Sequence, residues 1–179
     1  LLDGSKVAPG QKLLGLGSVG LHTNGYSLAR KVLFERMGLD VGDCPAELGG
    51  RSLGDALLAP HRCYLNELMP LVEAGHLAAM AHITGGGLLD NLPRVLGDTD
   101  AIIDPTSWTV PPLFQLIVDN AGIDRNEANR AFNMGVGMVL LVPTDHEAAV
   151  RAHLASIDEP VFDLGETVAG TGVVRWSDE

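Results

Sequence analysis

Blocks of apolar and polar positions predict a succession of short strands and helices. Lys12–Leu16 is a compact apolar run ending in Gly15-Leu16-Gly17-Ser18, consistent with a buried strand that enters a glycine loop. Tyr26, Ala29, Leu33 and Met37 recur at helical spacing, so a helix is predicted from Tyr26 to Met37, with Thr23 or Asn24 as N-cap and Gly38 closing it. Residues 41–51 read as loop. Leu53–Leu58 reads as a helix broken by Pro60. Tyr64–Ala74 is a second helix, with Leu65, Leu68, Leu71 and Val72 on one face and Pro70 as a kink or boundary.

Leu77–Ile83 suits a central strand; it ends in Thr84-Gly85-Gly86-Gly87, and Leu88–Leu96 then looks helical. Ala101–Ile103 is a short strand candidate, and Pro111-Pro112 opens a helix to about Asn120. Asp124 followed by Glu127 is a capping-box pattern for a helix to Phe132. Gly137–Val142 is a strand, Asp145–Ser156 a helix, and late strands fall near Val161–Leu164 and Gly172–Trp176. With no linker and no internal repeat, residues 1–179 make one layered α/β or α+β domain, a sheet covered by helices. The pattern leaves strand order open.

Composition narrows the partners. The chain is 46% hydrophobic and only 4% aromatic, so its core is aliphatic. A net charge of −11 removes the basic footprint expected of a nucleic-acid or anionic-membrane binder. A small anion remains possible, because backbone N–H groups can hold phosphate whatever the global charge. Cys44 and Cys63 form no CxxC pair and no zinc-ligand spacing is visible; no metal site is expected, and the pair reads as reduced thiols of a cytoplasmic protein. No apolar run approaches the ~20 residues of a membrane span. The start at Leu1, inside a turn-like Asp3-Gly4-Ser5, is expected to be a domain boundary.

Candidate chemistry concentrates in two loops. Gly17-Ser18-Val19-Gly20-Leu21-His22-Thr23-Asn24-Gly25 and His82-Ile83-Thr84-Gly85-Gly86-Gly87 each follow an apolar strand and precede a helix. Such loops either make tight turns or aim several amides at one oxyanion. Neither is a Walker A loop or a dinucleotide fingerprint. The polar residues His22, Thr23, Asn24, His82 and Thr84 at these junctions favour a ligand site. His22 and His82 are candidate bases or hydrogen-bond donors, whereas His61, His76, His146 and His153 read as solvated groups on helices or their ends. No nucleophile elbow or paired-carboxylate motif stands out.

Three segments then resemble one family. Ser18-x-Gly20-Leu21-His22-Thr23-Asn24-Gly25-Tyr26-Ser27-Leu28 followed by Arg30-Lys31, with Asp3-Gly4-Ser5-Lys6-Val7 as lead-in, resembles the opening of the C-terminal domain of the phosphoribosylformylglycinamidine cyclo-ligase (AIR synthetase) family. His82-x-Thr84-Gly85-Gly86-Gly87 with Asn91-x-Pro93-Arg94 is similar to its second signature, and Phe132-Asn133-Met134-Gly135-Val136-Gly137-Met138 to a third. The match runs in order from about Asp3 to Pro143.

The resemblance implies an α+β layered fold with a mixed sheet flanked by helices. It implies ATP-dependent closure of formylglycinamidine ribonucleotide to aminoimidazole ribonucleotide in purine biosynthesis. ATP and Mg²⁺ would be bound mainly by an N-terminal domain outside this chain, with no cofactor expected here, and the intact enzyme would be a homodimer. Substrate-binding candidates are Ser18, Gly20, His22, Thr23, Asn24, Gly25, His82, Thr84, Asn133 and Gly135, with Gly85, Gly86 and Gly87 as phosphate cradle. Val19, Asn66 and Ala131 stand where the family often has serine, lysine and threonine. The alternatives are a related ATP-dependent enzyme (formylglycinamidine synthetase, selenophosphate synthetase or thiamine-phosphate kinase) or, for this chain alone, a folded module without catalysis.

Overall fold

The computed structural model of the protein describes Leu2 and residues 4–178. Asp3, part of the expected turn and lead-in, lies outside them. Six strands form one mixed sheet: β1 Lys12–Gly17, β2 Ala79–His82, β3 Thr99–Ile103, β4 Val136–Val142, β5 Val161–Ala169 and β6 Val174–Trp176. Their order is β2-β4-β1-β5-β3-β6, antiparallel throughout except for the parallel β3–β6 pair.

β1 and β4 are apolar on both faces because each face carries helices. On one face, Leu13, Val139, Leu141 and Ile103 pack with Leu88 of α4 (Gly87–Asn91) and Leu96 of α5 (Pro93–Leu96). On the other, Leu14, Leu16, Leu140 and Val142 meet Leu68 and Leu71 of α3 (Leu65–Glu73) and Val150 and Leu154 of α8 (Glu147–Ser156). A third core lies off the sheet. It joins α1 (Tyr26–Arg30) and its π-helical extension Lys31–Arg36 to α2 (Leu53–Leu57), α6 (Pro112–Ala121) and α7 (Arg125–Ala131), with Phe114 edge-on to Phe132.

Several expectations need correction. The α1 N-cap is Gly25, and no side chain caps it; Thr23 and Asn24 turn back onto the His22 carbonyl instead. Residues 41–51 contain a short 3₁₀ turn, Ala46–Leu48. Pro70 lies inside α3 rather than bounding it, its ring on the exposed side while Leu68 and Leu71 are buried. The stretch 88–96 is two helices, because Pro93 has no N–H with which to continue the first. β5 runs on to Ala169, held on both edges by β1 and β3, although Glu166 and its neighbours carry no apolar run. The Asp124 cap is present, its carboxylate accepting from Glu127 N–H at 2.8 Å.

One irregularity shapes the site. The β1–β4 register slips between Leu16 and Gly17, where Gly17 pairs with Val136 and skips Gly137. A Cβ at Gly137 would overlap the Tyr64 hydroxyl and lie 2.9 Å from His22 Cε1. Both neighbours are buried and fixed, so Gly137→Ala is expected to cost about 1–3 kcal/mol in urea unfolding with an unchanged m-value; a stability loss within error would show that the two rings move aside freely.

Candidate functional site

β1 and β2 both run antiparallel to β4, so they end on the same side of the sheet, beside the start of β4. The loops after β1 and β2 and the turn before β4 therefore gather at one edge. His82, the last residue of β2, pairs with Met138. His22 sits in the loop after β1.

The first loop is held by the turn before β4. Asn133, 1% exposed, donates to the Gly20 carbonyl (2.9 Å), while its Oδ1 accepts from the Ser18 hydroxyl and the Gly135 amide (both 2.8 Å). Ser18 N–H donates to the Gly135 carbonyl at 2.9 Å. His22 and Thr23 both take left-handed φ angles, +50° and +63°. For two non-glycine residues this costs on the order of 1 kcal/mol each. The Thr23 hydroxyl and Asn24 amide, both 2.6 Å from the His22 carbonyl, help to hold that strained turn.

His22 is 1% exposed and its Nε2 accepts from Val19 N–H at 3.1 Å. Burial, then the neighbouring His61, His82 and Arg62 charges, push its pKa down to about 4. Burial and His61 also lower His82. Both imidazoles are therefore neutral at pH 7. Arg62 donates to the Gly17 carbonyl (3.0 Å), forms ion pairs with Glu159 and Glu67, and lies over the Tyr64 ring at 4.7 Å. The Tyr64 hydroxyl donates to the Gly17 carbonyl at 2.8 Å, and burial pushes its pKa up.

His61 is exposed, as expected, but it lies in a loop rather than on a helix and joins the other two histidines. Past α2 the chain turns back across the first loop, placing the His61 ring 4.2 Å from His22 in a stack and its Nε2 3.1 Å from His82 Nε2. A lone histidine in a proline-flanked loop carries no periodic signal that could have revealed this. His76 and His146 also pair, with Nδ1 atoms 3.3 Å apart, and His153 bonds the Glu67 carbonyl at 2.8 Å.

The triple-glycine loop has commitments of its own. Gly86 N–H donates to Arg130 and Gly87 N–H to Thr84, at 3.0 and 2.9 Å. Asn91 ties the loop by accepting from the Thr84 hydroxyl and donating to the Gly85 and Gly87 carbonyls. Gly87 has φ +57°, and a Cβ there would overlap the Asn129 carbonyl. Two of the three cradle amides are thus engaged within the fold. Two depressions flank β2 and share His82: an apolar groove of about 320 Å³ lined by Tyr64, Leu68, Met80 and Met138, and a polar one of about 350 Å³ with Thr84, Asn91 and Arg94.

The family model described as AIR synthase related protein, C-terminal domain, matches residues 8–177. The chain belongs to this family. It is 44% identical over 167 residues to the phosphoribosylformylglycinamidine cyclo-ligase of Citrifermentans bemidjiense and 43% over 172 residues to that of Bifidobacterium longum, covering 93% and 96% of this chain. Those alignments take in 48% and 50% of the relatives, so this AIR synthase C-terminal domain spans about half the length of the curated relatives it matches. In fold it is similar to thiamine-monophosphate kinase from Stenotrophomonas maltophilia (TM-score 0.66, 18% identity, 99% of this chain and 53% of that one). It is also similar to the E. coli hydrogenase maturation protein HypE (TM-score 0.57, 21% identity, 97% and 48%). Among the described residues no helix is long and apolar enough to cross a membrane.

A depressed histidine pKa means that the unfolded chain takes up protons first. His22 should therefore favour the fold above about pH 6.5 and withdraw that support as pH falls towards about 4. Thermal melts in chelator should lose stability across that window, with the slope reduced in His22→Gln; equal slopes for the two proteins would contradict the assignment.

Proposed function

We propose that this chain forms the ribonucleotide-facing side of an ATP-dependent cyclo-ligase that converts formylglycinamidine ribonucleotide to aminoimidazole ribonucleotide. The observation that carries this reading is the convergence of the three segments bearing His22, His82 and Asn133 at one sheet edge, in a chain 41–44% identical to cyclo-ligases. Structures at 13–22% identity share the fold and favour no other substrate.

ATP phosphorylates the amide oxygen, a substrate nitrogen then attacks that carbon, and the C–O bond breaks with loss of inorganic phosphate while the nitrogen gives up a proton. A neutral imidazole between an apolar groove and a polar pocket is suited to accept it, and His82 holds that place. Arg94 offers a cationic group to the ribose phosphate, in a pocket whose wall is set by the Thr84–Asn91 hydrogen bond. His22, Thr23 and Asn24 orient the amide and amidine, while Ser18, Gly20, Gly25, Asn133 and Gly135 hold their loop; the Gly85 and Gly87 carbonyls fix Asn91, which lines the polar pocket. A magnesium–nucleotide site does not fit this chain. Mg²⁺ requires oxygen ligands, and among the described residues the one cluster able to hold an ion is made of imidazoles. ATP and Mg²⁺ are assigned to the remainder of the longer protein, with a cytoplasmic homodimer as its working form.

In the full-length enzyme, His82→Ala should lower kcat by about 10²–10⁴-fold with little change in KM; unchanged kcat would remove His82 from the chemistry. This chain alone should release no ADP and bind Mg-ATP more weakly than about 1 mM in calorimetry, a limit corresponding to roughly −4 kcal/mol. Micromolar binding would overturn the division of labour.

A further inference from the structure

We propose that His22, His61 and His82 form a site for a divalent transition-metal cation of the Zn²⁺ or Co²⁺ type. One ring nitrogen from each histidine lies within 4.8 Å of the other two. The closest pair, His61 Nε2 and His82 Nε2, are 3.1 Å apart. Two nitrogens each ~2.0–2.1 Å from a tetrahedral Zn²⁺ are separated by roughly 3.3 Å, so the spacing already approaches one edge of a coordination shell.

The hydrogen-bond network fixes where the lone pairs lie. The Thr23 hydroxyl donates to the His22 carbonyl, so towards His61 Nδ1, 3.5 Å away, its oxygen can only accept. His61 therefore carries its proton on Nδ1 and turns the Nε2 lone pair towards His82. His22 Nε2, accepting from Val19 N–H, is likewise unprotonated. Both lone pairs are engaged without the ion, His22 Nε2 by the Val19 N–H and His61 Nε2 by His82 Nε2, so coordination replaces those two hydrogen bonds and His82 moves its proton to Nδ1. Closure asks for a turn of the His61 ring, because its near-parallel stack on His22 (17°) aims the two lone pairs side by side. His61 is exposed and can make that turn.

The ligand chemistry selects the ion. Three neutral imidazoles suit Zn²⁺, Co²⁺ or Ni²⁺ and not the oxygen-seeking Mg²⁺ or Ca²⁺. His61 and His82 are both exposed, leaving a fourth position to water or another small ligand. The nearby Arg62 charge is offset by its pairing with Glu159 and Glu67. Three rings on three separate segments need no folding transition to meet. Since a bound ion occupies the His82 lone pair, metal loading and base catalysis at His82 exclude one another.

The test is titration of this chain with Co²⁺, following the visible bands of tetrahedral cobalt, with Zn²⁺ as displacing ion. One equivalent should bind saturably. His61→Ala and His82→Ala should each weaken it at least about 10-fold, while His76→Ala, at the other histidine pair, should leave it unchanged. Far-UV circular dichroism identifies any variant that fails to fold, and the exposed His61 keeps the test open should His82→Ala do so. Absence of stoichiometric uptake, uptake unchanged in His61→Ala, or uptake lost in His76→Ala would each overturn the proposal.

Discussion

Asn133 holds the histidine-bearing loop in place. Its buried amide bridges the Gly20 carbonyl, the Ser18 hydroxyl and the Gly135 amide, joining the segment after β1 to the turn before β4. Each of these partners would otherwise lose a hydrogen bond in a place water does not easily reach, at about 1–3 kcal/mol per buried group. That tie joins the Thr23 and Asn24 hydrogen bonds in holding His22 and Thr23 in consecutive left-handed conformations, with the His22 ring against Tyr64 and His61. Local strain is held by distant sequence.

The bulge at Gly137 is the complementary device. An added methyl would occupy the space taken by the Tyr64 hydroxyl and crowd His22, so the absence of a side chain at one position of a wholly buried strand makes room for the floor of the site. Burial there also sets protonation: His22 and His82 are both kept neutral by desolvation first and by the neighbouring His61, while Arg62 stays charged beside Glu159. A neutral imidazole is at once a base, a hydrogen-bond partner and a metal ligand. The same few interactions therefore support both the proposed ring-closing role and the proposed cation site.

Much of this was legible in the chain, and the limits have physical causes. β1, β4, α6 and α7 follow from apolar runs, a proline pair and an Asp–Glu cap, all local signals. The resemblance of three ordered segments also anticipated the family that residues 8–177 match. What local patterning could not supply was strand order, and with it the meeting of those segments at one edge. His61 was missed for that reason: its significance comes from a return of the chain after α2. Thr23 and Asn24 have the chemistry of helix caps, yet both side chains donate back to the His22 carbonyl and the cap position falls to Gly25. The triple glycine looked like an anion cradle, but Gly87 is pressed against Asn129 and two of its amides are already bonded.

The central claim, that the histidine edge of this domain faces the ribonucleotide, is most directly tested by NMR of ¹⁵N-histidine-labelled protein titrated with formylglycinamidine ribonucleotide in chelator. The imidazole signals of His22, His61 and His82 should shift together and saturate, while those of His76, His146 and His153 stay fixed. Shifts confined to the second group, or none in the first at saturating ligand, would contradict the account.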